Sequence, residues 1–131
     1  MRVIIVHTLE DAFDALEVAS ELGKPVVLQS APDALFYAGS LYLLHLFVEA
    51  KKAYPKVAAT CIVDCGDAEA EAVGAMQTGH KHIRIAAFDA KLEDIARQYG
   101  IKVHTGPYEA LDLLEAGNTK DACKKWLSED I

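Results

Sequence analysis

The sequence predicts an α/β protein whose strands all run parallel, and three observations predict it. A short β-branched run recurs five times: Val3-Ile4-Ile5-Val6, Val26-Val27-Leu28, Thr60-Cys61-Ile62-Val63, Ile83-Arg84-Ile85-Ala86 and Ile101-Lys102-Val103. Each run ends in a polar turn, and an amphipathic stretch follows it. Alternation of strands with helical stretches makes βαβ units, whose sheets are buried under helices. The 131 residues fit one α/β domain over 1–131 with a core that needs no staples.

The elements follow in order. The first strand runs to Val6 or His7. Thr8 is a good N-cap, and Asp11 three residues on makes a variant capping box. Leu9, Phe13 and Leu16 then recur at helical spacing until Gly23 and Pro25 stop the helix. The second strand leads to Gln29-Ser30. Ser30 is expected to cap a helix over 33–54, with Asp33 completing a capping box and Pro32 tolerated in the first turn. The third strand ends at Asp64, and Asp67 reads as the cap of the next helix, which Gly79 closes. The fourth strand precedes a helix capped by Asp89 and ended by Gly100. Pro107 is expected to open a fifth helix holding Leu111 and Leu114, and Asn118 starts a last short helix.

The helix over 33–54 differs from the others. Leu35, Phe36, Tyr37, Leu41, Tyr42, Leu43, Leu44, Leu46, Phe47 and Val48 leave it almost no polar face. A helix apolar all round is buried on all sides. One sheet covers one side of it, so a second copy of the chain is expected on the other, giving a homo-oligomer.

Polarity suggests a strand order. The first and third strands are the most uniformly apolar and are expected at the centre, while Arg84 and Lys102 push the fourth and fifth outward. Order 2-1-3-4-5, the flavodoxin-like order, satisfies this. Right-handed crossovers then place helices on both faces, a three-layer α/β/α sandwich of five strands. The topological switch falls between strands one and three.

Composition narrows the function. The net charge of −7 argues against non-specific binding to nucleic acid or anionic membranes. The longest apolar stretch, Leu35 to Val48, is too short to cross a bilayer and contains Ser40 and His45. Three unpatterned cysteines (Cys61, Cys65 and Cys123) and no visible leader suggest a reducing, cytoplasmic setting.

The switch gathers the residues that could carry chemistry. His7 and Thr8 follow the first strand, and Asp64, Cys65, Gly66 and Asp67 follow the third, with Ser30 and Asp89 flanking. Asp64 is a candidate general base or hydroxyl-binding group, and equally a turn residue bonding the next loop. His7 is a candidate acid–base group. Thr8, Ser30, Cys65, Gly66, Asp67 and Asp89 are candidate ligand contacts. Gly66 allows close approach, and helix N-termini suit a small anionic or polar ligand. Cys65 beside two acids is expected to have a raised pKa. His80-Lys81-His82 has a spacing that could hold a metal if extended, but it starts the fourth strand, opposite the expected site, and is read as solvent-exposed. No metal ligand is assigned, and the cofactor is left open.

Known motifs are mostly absent. No G-x-G-x-x-G follows the first strand, and there is no Walker loop or G-x-S-x-G elbow. The chain resembles a response-regulator receiver domain in length and strand count. Asp64 stands at the phospho-acceptor position, and Gly106-Pro107 follows the fifth strand. The paired acids of that family are His7 and Thr8 here, its hydroxyl is Ala87, and its lysine is missing. The segment Asp64 to Ile85 resembles one repeat of a phosphate-binding (βα)8 barrel, in a chain too short for eight. Two functions are expected from this: a small ligand-binding or regulatory module, or a small oligomeric lyase or hydrolase acting on a small polar or phosphorylated compound through Asp64 and His7.

Overall fold

A computed structural model describes residues 2–87 and 89–129. The order of elements is β1 (Val3–Val6), α1 (Leu9–Leu22), β2 (Val26–Ser30), α2 (Ala34–Ala38), α3 (Ser40–Ala53), β3 (Ala59–Asp64), α4 (Glu69–Thr78), β4 (His82–Arg84), α5 (Ala90–Tyr99), β5 (Lys102–His104), β6 (Ala110–Asp112) and α6 (Thr119–Ser128). Every strand pairing is parallel, as expected.

The strand order is not 2-1-3-4-5. The six strands lie in the order β5-β4-β3-β2-β1-β6. Each crossover from β1 to β5 steps to the next strand in the same direction. Right-handed crossovers that all step one way leave their helices on one face. The packing agrees: Ile4, Val6, Val26 and Leu28 meet Leu16 of α1, Phe47 of α3 and Leu127 of α6, while Val63 and Ile83 meet Met76 of α4 and Leu92 of α5. The helices form one layer in the order α6-α1-α3-α4-α5, so the three-layer sandwich is replaced by a sheet with helices on one side. Strand polarity misled because Val26-Val27-Leu28 is as apolar as β1. It could not show that β2 lies between β1 and β3.

Local signals set most element ends. Thr8 caps α1 by accepting from Asp11 N–H at 3.0 Å, and the Asp11 carboxylate accepts from His7 N–H at 2.9 Å. Asp89 and Asn118 cap α5 and α6 in the same way. Three ends differ from expectation. The 33–54 helix is two helices broken at Gly39, whose φ of +88° favours glycine. Asp33, not Ser30, precedes α2, and Ser30 bonds β3 instead. Ala68 rather than Asp67 is the N-cap of α4.

The expected helix after Pro107 is also absent. Ala110 to Asp112 form β6 against the free edge of β1, pairing Val3 with Ala110 and Ile5 with Asp112. An open inner edge would leave backbone groups of β1 unpaired. Leu111 packs on the helix-side core, and Leu114 is exposed.

The link from β5 to β6 fixes the shape of the sheet. Six residue steps from His104 to Ala110 reach about 21 Å at full extension. Five strand spacings in a flat sheet span about 24 Å. The sheet therefore curls, and its helix-free face is concave. Residues 105–109 cross that face, where Tyr108 hydrogen-bonds Gln29 of β2.

Candidate functional site

The concave face carries the side chains that alternate with the helix-facing ones. Asp64 on β3 and Arg84 on β4 are register partners, and their side chains meet at 3.2 Å. Asp64 is 7% exposed. Its Oδ1 accepts from Arg84 Nη1 and, at 3.0 Å, from Gly66 N–H. It is thus both a turn residue and half of an ion pair. Its Oδ2 has no partner among the described residues. Gly66, at φ +58°, and Gly106 border the pair, and a Cβ at Gly106 would come within 3.2 Å of the Arg84 guanidinium.

Basic and imidazole groups extend this face. Lys102 pairs with His82 in register, and His104 with Arg84. His82 Nδ1 lies 3.0 Å from His104 Nε2. Burial lowers both imidazole pKa values, and neighbouring cations lower them further. Burial raises the Tyr108 pKa, which Arg84 opposes. On this edge the cations Arg84 and Lys102 stand with the two histidines, and Asp64 pairs with Arg84.

The expected site residues separate into groups. His7 and Asp64 stand level with one another at the C-terminal ends of β1 and β3, but β2 intervenes, so no switch crevice joins them. His7 pairs with Asp112 on β6 instead, Nε2 to Oδ1 at 2.6 Å. Ser30 is buried, and its Oγ accepts from Asp64 N–H at 2.9 Å. Thr8 and Asp89 are exposed helix caps, and Asp67 is exposed beside Gly66. Cys65 is enclosed in the helix-side core, where burial and then Asp64 and Glu71 push its thiol up to about 12. Cys61 is pushed up to about 11 and Cys123 to about 12, again chiefly by burial. None of the three is poised as a thiolate.

His80 corrects the reading of His80-Lys81-His82 as solvent-exposed. Its ring is buried, hydrogen-bonded at 2.8 Å to the Ser40 carbonyl and edge-on to Phe47. It joins α3 to the loop before β4, and burial lowers its pKa.

Sequence reasoning missed Arg84, Gln29, Tyr108 and Asp112. Arg84 has a visible signal, a charge inside an apolar run, which by polarity alone marks an outer strand. Its meaning depends on register, which puts it opposite Asp64. Asp112 was hidden inside an expected helix.

A second opening lies at the tips of β1 and β2, beneath α2 and α3. It is a cavity of about 330 Å3 lined by Val6, His7, Ser30, Tyr37, Tyr42 and Phe47, among others. Among the described residues, no helix is long and apolar enough to cross a membrane.

No family model matches the chain. Similar proteins are named fructose-bisphosphate aldolase. One from Xanthobacter flavus is 28% identical over 129 residues, covering 86% of this chain and 36% of that protein. One from Synechocystis, named class 2, is 29% identical over 92 residues, covering 70% and 25%. One from Nostoc commune is 32% identical over 92 residues, with the same coverage. The chain therefore spans between a quarter and just over a third of the length of these curated relatives.

Proposed function

We propose that this chain is a binding module for a small phosphorylated, hydroxylated compound, held on the concave face at the C-terminal ends of β3 to β5. Arg84 contacts the phosphate and the free Oδ2 of Asp64 accepts a ligand hydroxyl. The observation that carries the reading is the register-matched Asp64–Arg84 pair. Asp64 fixes one arm of the guanidinium, so little side-chain entropy remains to be lost on binding. Gly66 has open space where a side chain would stand, and Gly106 lets its loop pack close against the guanidinium. The names of the relatives point to the same class, since fructose bisphosphate is a phosphorylated polyol.

Calorimetric titration with fructose 1,6-bisphosphate, inorganic phosphate and fructose tests this. The bisphosphate should bind, phosphate more weakly, and fructose least. Arg84→Lys should weaken the bisphosphate about tenfold, the scale of one lost charged hydrogen bond. Equal binding by wild type and variant, or no heat with any probe at millimolar concentration, overturns the reading.

A carbon–carbon lyase acting on the same class is the second reading, favoured by the shared name of the relatives. In that case Asp64 is the proton-transfer group. Release of two three-carbon phosphates from the bisphosphate, abolished by Asp64→Asn, would establish it over simple binding.

We also propose that the chain self-associates through the outward face of α2 and α3. Phe36, Leu41 and Val48 are each more than half exposed there. Leu41, His45 and Val48 form one stripe at helical spacing, opposite the buried Leu43, Leu46 and Phe47. A cytoplasmic setting remains part of this reading.

A further inference from the structure

The cavity at the tips of β1 and β2 is lined by other residues than Asp64 and Arg84, and its Ser30 touches the pair through Asp64 N–H. Its volume of about 330 Å3 reaches the range of small-molecule sites. Its walls are Val6 and Phe47, with Tyr37 and Tyr42 at the mouth. Both tyrosines are more than half exposed, which is unusual for aromatic side chains without a partner surface.

Two polar groups complete the lining. His7 is held by Asp112, whose Oδ1 takes Nε2 at 2.6 Å and Leu114 N–H at 2.9 Å. With Nε2 engaged by Asp112, Nδ1 is the ring nitrogen left for a ligand. Nδ1 has no hydrogen-bond partner among the described residues. Ser30 Oγ already accepts from Asp64 N–H. Its own proton is used in no bond among the described residues, so Ser30 is left as a donor. An apolar cavity with His7 and Ser30 on its lining suits a ring that carries a hydroxyl.

We propose that this cavity binds a small aromatic alcohol, its ring between the tyrosines and Phe47 and its hydroxyl bonded to Ser30 and to His7 Nδ1. No carboxylate, lysine or arginine lines the cavity, so an anionic compound belongs on the concave face and not here.

The test uses p-cresol as the probe and toluene as the same ring without the hydroxyl, followed by NMR chemical shifts. p-Cresol should shift His7, Ser30, Tyr37, Tyr42 and Phe47 together, and bind at least tenfold more tightly than toluene. His7→Ala and Ser30→Ala should each weaken p-cresol about tenfold, one hydrogen bond's worth, and leave toluene unchanged. Unchanged toluene binding also shows that the variants are folded. Equal affinity for the two probes, or no effect of either substitution, overturns the proposal. So do shifts confined to another surface, and cavity shifts that follow protein concentration alone, which would make a second copy the occupant.

Discussion

His82 and His104 meet edge to edge across β4 and β5, with Nδ1 and Nε2 3.0 Å apart and ring planes within 24°. The 5.3 Å between ring centroids fits this end-to-end contact better than face-to-face stacking. One nitrogen donates and the other accepts, so the pair holds together only while at least one ring is neutral. Two imidazolium rings would aim N–H groups at each other. Burial first, then His104, Lys102 and Lys51, lowers the His82 pKa. Burial and Lys102 lower that of His104.

Stability should therefore fall as the pH drops below about 6.5, the ordinary histidine value. The unfolded chain gains protons there that the folded His80, His82 and His104 resist, so the slope of stability with pH is positive in that window. Above about pH 8 these groups are neutral in both states and contribute no slope. Urea denaturation from pH 7.5 to 5.0 checks this. Replacing both His82 and His104 by Asn should flatten the curve, and a slope unchanged in the double variant would remove the pair as its source.

Ser30 ties β2 to β3 from the helix side. Ser30→Ala strands the buried Asp64 N–H without its acceptor and should cost about 1–3 kcal/mol. The loss is readable by urea denaturation followed through the single tryptophan, Trp126, in α6. Thr at the same position keeps the hydroxyl and should recover part of the loss.

The Asp64–Arg84 pair predicts an asymmetry. Arg84→Leu leaves a carboxylate that is 7% exposed without its counterion, which is more costly than losing both partners. Arg84 itself retains access to water, so the cost should be at the lower end, about 1–3 kcal/mol. Asp64→Asn keeps an acceptor for Gly66 N–H and removes the charge, and should cost less than half as much. Equal losses for the two variants, measured by urea midpoints at pH 7.5, would mean that the pair is not coupled.

What the sequence made legible was local. Thr8, Asp89 and Asn118 are caps because each side chain bonds a backbone three residues away, and no tertiary fact is needed to see it. Asp64 could be placed at a strand tip for the same reason. Strand order depends on which face the crossovers share, and β1, β2 and β3 are too alike in polarity to rank. β6 was masked because Leu111 and Leu114 stand three apart, a helical spacing, while Ala110 to Asp112 in fact fill the vacant edge of β1. The pairing of His7 with Asp112, and not with Asp64, follows from that one strand. Arg84 gains its role only through register with Asp64. Residues whose partner is 20 or more positions away were seen but could not be assigned.

The exposed stripe on α3 makes the last prediction. Leu41 and Val48 leave apolar surface in water on the same side as His45, while Leu43, Leu46 and Phe47 hold the helix against the sheet. Burying Leu41 and Val48 against a second copy should stabilise association by roughly 1.5–3 kcal/mol for each fully buried side chain. Light scattering should give a mass above that of one chain at micromolar concentration. Leu41→Lys with Val48→Lys should return it to one chain, because two like-charged residues then face each other across a symmetric contact. The urea midpoint measured at low concentration should stay within experimental error, since neither side chain serves the inner core. A wild-type mass of one chain under those conditions removes the self-association proposal and leaves the stripe as exposed helix surface.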